Sequence, residues 1–414
     1  MSGPLAGIRV LELGSFIAGP FAGQLLADYG AEVVKVEPPG RGDAMRTWGH
    51  TRDGESLWWP TIARGKRSLA LDLHGEEGRA VLRALADEVD VVLENFRPGL
   101  LERWGLDHAT LARTNPGLVT VHVSGFGQTG PRAGDAGFGS IGEAMGGVRH
   151  TTGEPDRPPA RAGISLGDSL AALFAVIGTL AALNERHASG RGQEVDVAIY
   201  EAVAALMEST MADHALAGIT RGRSGSVLPG VAPSNVYPTA DGSGVILAAN
   251  ADAVFARLAA AMGRAELAGD PRFADHQARG AHARDLDALI GAWTATYDAE
   301  DLLAALAGAG VPAGRIFTAA DMLADPHYRA REMVLHLTNA AGHEVPSAGL
   351  VPKFSRSRPP VPRPGPPLGA DTRTVLADAV ARAGLDYAAL LAAGTIAEPV
   401  GGPAAGAPDA SATT

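Results

Sequence analysis

Apolar positions along the first 200 residues fall into two alternating patterns. Short β-rich runs occur at Ile8 to Leu13, Val33 to Val36, Leu69 to Leu73, Val89 to Leu93 and Leu118 to Val123. Segments with helical spacing lie between them. Pro20 to Tyr29 stops at Gly30, and Glu76 to Glu88 places Val81, Leu82, Leu85 and Ala86 on one face. Strands separated by helices of this length predict an α/β fold, a parallel sheet with helices on both faces. The most apolar run, Leu170 to Leu183, is shorter than the roughly 20 residues of a membrane span and predicts a buried core helix. Glu194 to Ile199 reads as a further strand and Tyr200 to Ala217 as a helix.

The pattern then changes. Arg221 to Pro238 is rich in Gly, Ser and Pro and reads as a linker. A second compact unit follows, with strands at Val245 to Ala248 and Arg315 to Thr318. Its helices are expected at Ala251 to Met262, Asp285 to Tyr297, Asp298 to Ala309 and Ala319 to Glu332. Asp298 and Asp301 form a capping-box-like pattern. The proline-rich stretch Pro346 to Pro367 predicts an extended segment returning across the first domain. Short helices at Thr372 to Ala383 and Asp386 to Leu391 close the fold. The domain reading is therefore 1–220 for the first part of the large domain and 221–332 for linker and small domain. Residues 333–397 form the return, and 398–414 a disordered tail.

Composition narrows the function classes. Hydrophobic residues make up 46% and charged residues 20%, as in an ordinary globular protein. A formal charge of -11 gives no general attraction to nucleic acid or to an anionic membrane. A local basic patch remains able to bind a small anion. The chain has no cysteine, which excludes disulfides, thiolate zinc sites and a cysteine nucleophile. The N-terminus lacks a basic region and Glu12 interrupts its apolar stretch, so no signal peptide is read and a cytoplasmic location is expected. No metal-ligand spacing and no Walker A sequence occur, so no metal site is predicted.

Four features carry candidate chemistry. The turn Leu13 to Gly23 follows a strand and opens a helix, but its glycines at 14, 19 and 23 do not make G-x-G-x-x-G. It is a tight strand-to-helix turn or the backbone lining of a site that is not a nicotinamide one. Gly163-Ile164-Ser165-Leu166-Gly167 matches the nucleophile elbow G-x-S-x-G. That motif needs a buried strand before it, and Arg157 to Ala162, with two prolines, cannot supply one. Asp168 stands on a glycine-flanked turn ahead of the apolar helix. It is a helix N-cap or a nucleophile whose charge the helix end stabilises, and the residues alone leave these even. Arg41, Arg46, Arg64, Lys66, Arg67, Arg97 and Arg103 cluster after successive strands, where a phosphate-bearing ligand would sit. His74, near a strand end, joins them.

Several motifs together resemble a known family. They are Pro4 to Leu13, Ala18-Gly19-Pro20, Leu26 to Glu37, Gly40-Arg41-Gly42-Asp43 and Gly65-Lys66-Arg67-Ser68. They continue with Glu94-Asn95-Phe96-Arg97-Pro98-Gly99, Ser124 to Pro131, Gly167-Asp168-Ser169 and Thr239 to Gly242. In this order they resemble the class III CoA-transferases, the family of formyl-CoA transferase, the carnitine CoA-transferases and α-methylacyl-CoA racemase. The resemblance implies a Rossmann-like large domain, a smaller domain and a C-terminal return. It also implies two chains interlocked as linked rings in a homodimer. It makes Asp168 the nucleophile that carries CoA from a donor acyl-CoA to a small carboxylic acid. It places CoA contacts at Ile17, Ala18, Leu71, Asp72, Leu73, His74, Asn95, Phe96, Arg97, Arg103, Ala136, Gly137 and Phe138. Arg97 and Arg103 would take the adenosine and phosphate end. CoA is then a co-substrate, and no further cofactor is implied.

Departures from the family refine the expectation. Formyl-CoA transferase has glutamine where this chain has Ile17, and lysine and tyrosine at Ala136 and Phe138. Its long glycine-rich loop is reduced here to Gly222 to Gly230, which speaks against oxalate as acceptor. The racemase's second acid/base, a histidine, falls on Phe138, which cannot transfer a proton. The segment Val231 to Pro238 is similar to transferases that take small dicarboxylates with a succinyl-CoA donor. An acyl-CoA racemase or a silent CoA-binding protein are the alternatives to transfer.

Overall fold

The computed structural model describes residues 3–399. Six parallel strands form its central sheet. They are β1 (Arg9–Glu12), β2 (Glu32–Glu37), β3 (Lys66–Leu71), β4 (Val91–Glu94), β5 (Val119–Ser124) and β6 (Glu194–Ala198). Their spatial order is β3-β2-β1-β4-β5-β6. This is the doubly wound order expected of a Rossmann-like sheet. Alternate side chains leave each strand on opposite faces, so each strand feeds two cores. Leu11, Val34 and Leu69 pack on one face with α2 (Glu76–Ala86). Val10, Val33 and Val91 pack on the other with α1 (Ala18–Asp28).

Two helices matter for the site, the short α3 (Gly139–Met145) and the much longer α4 (Leu166–Ser189). α4 extends beyond the predicted run at both ends. By length and composition alone it could cross a membrane, but in the fold it packs on α1 and β5. Ala171, Ala172, Ala175 and Ala182 make its buried face, where small side chains permit close approach. The predicted helix over Tyr200 to Ala217 is two helices, Ile199–Ala204 and Thr210–Ala217. Between them Glu208 takes a left-handed φ of 50°, which no continuous helix allows.

By its contacts the chain divides into two compact units. One holds the described residues of 1–148, 162–211 and 330–414; the other holds 149–161 and 212–329. The second unit has an antiparallel sheet of β7 (Ser234–Pro238), β8 (Gly244–Ala248) and β9 (Ala313–Arg315). β7 lies within the stretch read as a linker. Asn235 and Tyr237 anchor it to the carboxylate of Asp287. Helices α5 (Asp252–Ala261), α6 (Ala283–Thr294) and α7 (Ala299–Gly308) pack around Phe255, Leu258, Ile290 and Leu302. Asp298 occupies the N-cap position of α7 without a side-chain capping bond; Thr318 and Asp321 make a capping box instead. The helix predicted over Ala319 to Glu332 breaks before Pro326.

In the first unit, β10 (Val334–Thr338), where no strand was predicted, forms a hairpin with β11 (Glu344–Ala348), whose last three residues begin the segment predicted to be extended. The chain beyond it does run back over the first 70 residues: Pro366 O accepts from Arg46 and from Trp59 Nε1, and Arg363 O from Gly65 N. α8 (Thr372–Arg382) and α9 (Tyr387–Ala392) follow, and β12 (Ile396–Ala397) adds an antiparallel edge to β3. The predicted tail lies outside the described residues from position 400 onward.

Candidate active site

From β1 the chain winds one way through β2 and β3 and the other way through β4, β5 and β6. Open α/β sheets bind ligands beyond the carboxyl ends of the strands at such a reversal. A cavity of about 710 Å3 lies there. Its walls are the turn at residues 14–16 after β1, Arg41 and Asp43 after β2, residues 72–74 after β3, Phe96 after β4, and Trp104.

The first turn is held from two sides. Asn95 Oδ1 accepts from Ser15 N at 2.8 Å and Asn95 Nδ2 donates to Ser15 O at 2.9 Å. A Cβ on Gly14 would stand 2.4 Å from Asn95 Oδ1, so only glycine admits this pairing. Phe16 has a φ of 64°, a conformation costing a non-glycine residue about 1 kcal/mol or more. Asp43 Oδ1 compensates by accepting from Phe16 N at 3.3 Å and from Met45 N at 2.8 Å.

Asp43 belongs to a buried ion cluster. Lys35 Nζ lies 2.7 Å from Asp43, 2.9 Å from Glu12 and 2.8 Å from Gly14 O. Lys66 Nζ lies 2.6 Å from the other Glu12 oxygen and donates to Pro20 O at 2.7 Å. Burial pulls the Lys35 ammonium down, but Glu12, Asp43 and Glu37 outweigh it and raise its pKa. Burial pulls Lys66 down to about 8, with Glu12 only partly opposing.

These contacts correct the basic cluster read from the sequence. Arg46 pairs with Glu37 and stacks on Trp59; Arg64 pairs with Asp28, Lys66 with Glu12, and Arg67 with Glu32 and Asp371. These four hold the fold rather than a phosphate. Arg41 lines the cavity, and Arg97 and Arg103 are exposed beside Phe96 and Trp104 in the chain.

Of the residues predicted to meet CoA, Leu71, Asp72, Leu73, His74 and Phe96 share the cavity wall, and Asn95 braces its first turn. Asp72 Oδ1 accepts from His74 N and pairs with its Nδ1, which shapes that turn. Ile17 packs against the small cluster of Met45, Trp59, Ile62 and Ala63, and Ala18 is buried in the sheet core. Trp104 and Asp43 went unrecognised as wall residues, whereas Phe16 lies in the turn that the sequence offered as a possible lining. Trp104 meets both Phe96 and His74 edge-on, each at 5.7 Å between centroids. Its neighbour Arg103 was the available signal.

Asp168 lies beyond the end of β5, outside the cavity lining. It is the third residue of α4, and Ser165 holds the N-cap position without a side-chain bond. The cap reading of Asp168 therefore gives way to a carboxylate inside the first turn. The residues directly before Ser165 form no strand, so the nucleophile-elbow reading lacks its scaffold. A Cβ on Gly139 would stand 2.4 Å from Asp168 Oδ2. Gly167 N donates to buried Glu143 at 3.3 Å. Gly137 touches Gly125, at the end of β5, with its backbone. Asp168 thus stands with the Ala136–Phe138 segment, in which Ala136 is exposed and Phe138 is 71% exposed.

Comparison with known proteins identifies the chain. Residues 5–372 match the profile of CoA-transferase family III. The chain belongs to CoA-transferase family III. This CoA-transferase is 57% identical to the succinyl-CoA–D-citramalate CoA-transferase of Chloroflexus aurantiacus, over 91% of this chain and 94% of that one. It is 39% identical to the succinate–glutarate CoA-transferase of Agrobacterium fabrum, over 91% of this chain and 95% of the relative. The crystal structure of a CAIB/BAIF family protein from Brucella suis superposes with a TM-score of 0.80 at 37% identity, covering 92% of this chain and all of that one.

Proposed function

We propose that this CoA-transferase moves CoA from succinyl-CoA to a small dicarboxylic acid of the citramalate kind, with Asp168 as nucleophile. The donor and acceptor class rest on the names of its relatives. The observation that carries the nucleophile is the place of Asp168, in the first turn of the long helix α4 and against the bare backbone of Gly139. The positive end of α4 favours the carboxylate anion. Backbone N–H groups at such a helix start can stabilise an oxyanion forming beside it.

The transfer balances without a redox step or net proton movement. An Asp168 oxygen attacks the succinyl thioester carbon; the C–S bond breaks and CoA leaves as thiolate. The thiolate then attacks the Asp168 acyl carbon of the mixed anhydride and expels succinate, leaving an aspartyl-CoA thioester. The acceptor carboxylate attacks that thioester, and thiolate departs again. Its attack on the acceptor acyl carbon returns Asp168 as carboxylate. Splitting the exchange this way is covalent catalysis.

The cavity and Asp168 are spaced for a long ligand. From β3 to β5 the sheet makes four strand steps, about 19 Å at the usual spacing. An extended phosphopantetheine arm suits that path, with its nucleotide end near Arg41, Arg97 and Arg103. CoA serves as co-substrate, and no other cofactor enters the scheme. Racemisation is disfavoured because Phe138 has no proton to exchange. We read the chain as a homodimer, interlocked as in its family. Leu173, Ile177 and Leu180 form an exposed apolar stripe on α4, and Ile141 and Met145 are exposed on α3. Such surface is normally covered by a partner. An acidic chain without cysteine suits a reducing cytoplasm.

The test is mass spectrometry after incubation with succinyl-CoA. A CoA adduct is expected on the peptide that contains Asp168, discharged by the acceptor acid. An adduct on another residue, or undiminished transfer by Asp168→Asn, overturns the assignment.

A further inference from the structure

Beneath the Asn95–Arg97 segment lies a buried His–Glu pair that the transfer chemistry does not use. Glu94 ends β4, and His122 stands opposite it in register on β5. His122 Nδ1 and Glu94 Oε1 are 2.6 Å apart. The second Glu94 oxygen accepts from Phe96 N, also at 2.6 Å. Both side chains are buried. Phe96 then meets Trp104 in the cavity wall, while Asn95, between Glu94 and Phe96, grips Ser15 with both ends of its amide. One carboxylate thus anchors the backbone where it leaves the sheet and becomes the wall.

We propose that His122 and Glu94 are positioning residues that fix the Asn95–Arg97 segment for the CoA moiety. This rests on the reading of the cavity as the CoA site. The charged surroundings of His122 are Glu94 on β4, Glu194 on β6 and His108, whose Nδ1 bonds Thr120. Glu102 acts on Glu94 from further away. His122 Nε2 lies 3.3 Å from Glu194 without an aligned hydrogen bond. Burial pulls the His122 imidazolium down, but Glu94 and Glu194 outweigh it and hold its pKa above the usual histidine value. Burial likewise raises the Glu94 carboxyl, and His122 opposes that rise. While His122 keeps its proton, Glu94 stays a paired carboxylate and its bond from Phe96 N–H is charge-assisted. As pH rises through the His122 value, a buried carboxylate is left beside a neutral ring, and the segment loosens.

Calorimetric titration with free coenzyme A from about pH 6 to about pH 9 tests this, with KM and kcat for succinyl-CoA measured alongside. The wild-type protein is expected to bind CoA several-fold more weakly at the alkaline end. His122→Leu is expected to weaken binding about tenfold at about pH 6, and His122→Gln, which keeps a donor, about threefold. Both should respond to pH less than the wild type does, since Lys66 under the first turn still titrates in this range, and the loss should appear in KM with kcat changed about twofold or less. Glu94→Gln serves if the His122 variants fail to fold; it too should flatten the pH profile. A purely structural role would lower Tm without altering the pH profile or the division between KM and kcat. Unchanged CoA affinity and pH profile in the variants overturns the proposal. Failure of the wild-type protein to bind CoA overturns the reading of the cavity and this inference with it.

Discussion

Under the first turn, Glu12, Glu37 and Asp43 are buried, and Lys35, Lys66 and Arg46 meet them at 2.6–2.9 Å. Beyond β5, Asp168 is half-buried, and its neighbours include the glycines 139 and 167. Both groups stand at the ligand edge of one sheet, and both use carboxylates. The difference lies in what surrounds them. Cations within ion-pair distance lock the first group and lower its freedom to react. At the second, the bare backbone of Gly139 lets the carboxylate lie directly against the chain at the start of a helix. The same side-chain chemistry therefore serves as scaffold in one place and as the proposed nucleophile in the other.

The contrast can be broken most sharply by exchanging one residue on each side. Lys35→Met leaves buried carboxylates without their cation and is expected to cost about 3–5 kcal/mol of stability in urea denaturation. Asp168→Asn, at a half-buried side chain, should cost less stability than Lys35→Met yet lower transfer about a thousandfold or more. Equal stability losses in the two variants would erase the distinction. A smaller effect is expected from Gly139→Ala, whose methyl would meet Asp168 Oδ2 at 2.4 Å and displace it. Transfer should fall about a hundredfold in kcat, with little change in KM for succinyl-CoA. Wild-type kcat in that variant would mean that the glycine wall has no part in placing the carboxylate.

The weakest expected effect is a pH dependence. Burial pushes the Asp43 carboxyl up, but Lys35 and the N–H groups of Met45 and Phe16 outweigh it and hold it below its usual value. Its stabilisation is full above about pH 4 and is lost as pH falls through the lowered folded value. Asp43→Asn should therefore show a shallower loss of stability below about pH 4. An unaltered slope in a denaturation series would show that the cluster's acid sensitivity lies in its other members.

Much of the scaffold was legible in the chain. Val33 to Val36 and Leu118 to Val123 announced their strands because parallel strands are apolar on both faces. Helix Glu76–Ala86 announced itself by its one-sided periodicity. The failures share a cause. The hairpin at Val334–Thr338 and Glu344–Ala348, and the edge strand Ile396–Ala397, exist through pairing across the fold, with weak local patterns of their own. The break at Glu208 depends on one backbone angle. Lys66 and Arg67 looked like ligands for phosphate because a sequence shows a charge without its counter-charge; Glu12 and Glu32 lie far from them along the chain.

By itself the sequence determined the alternation of strand and helix, the family motifs and the candidacy of Asp168. Each of these is written in neighbouring residues, through periodicity, turn chemistry or a contiguous motif. Only the tertiary structure decided that Asp168 lies inside the first turn of its helix rather than at its cap. It also decided which cations are buried in ion pairs and which remain beside the cavity. It alone joined Glu94 to His122. These depend on strands brought side by side, where burial and a distance of a few ångströms determine whether a charge holds the fold or meets a ligand.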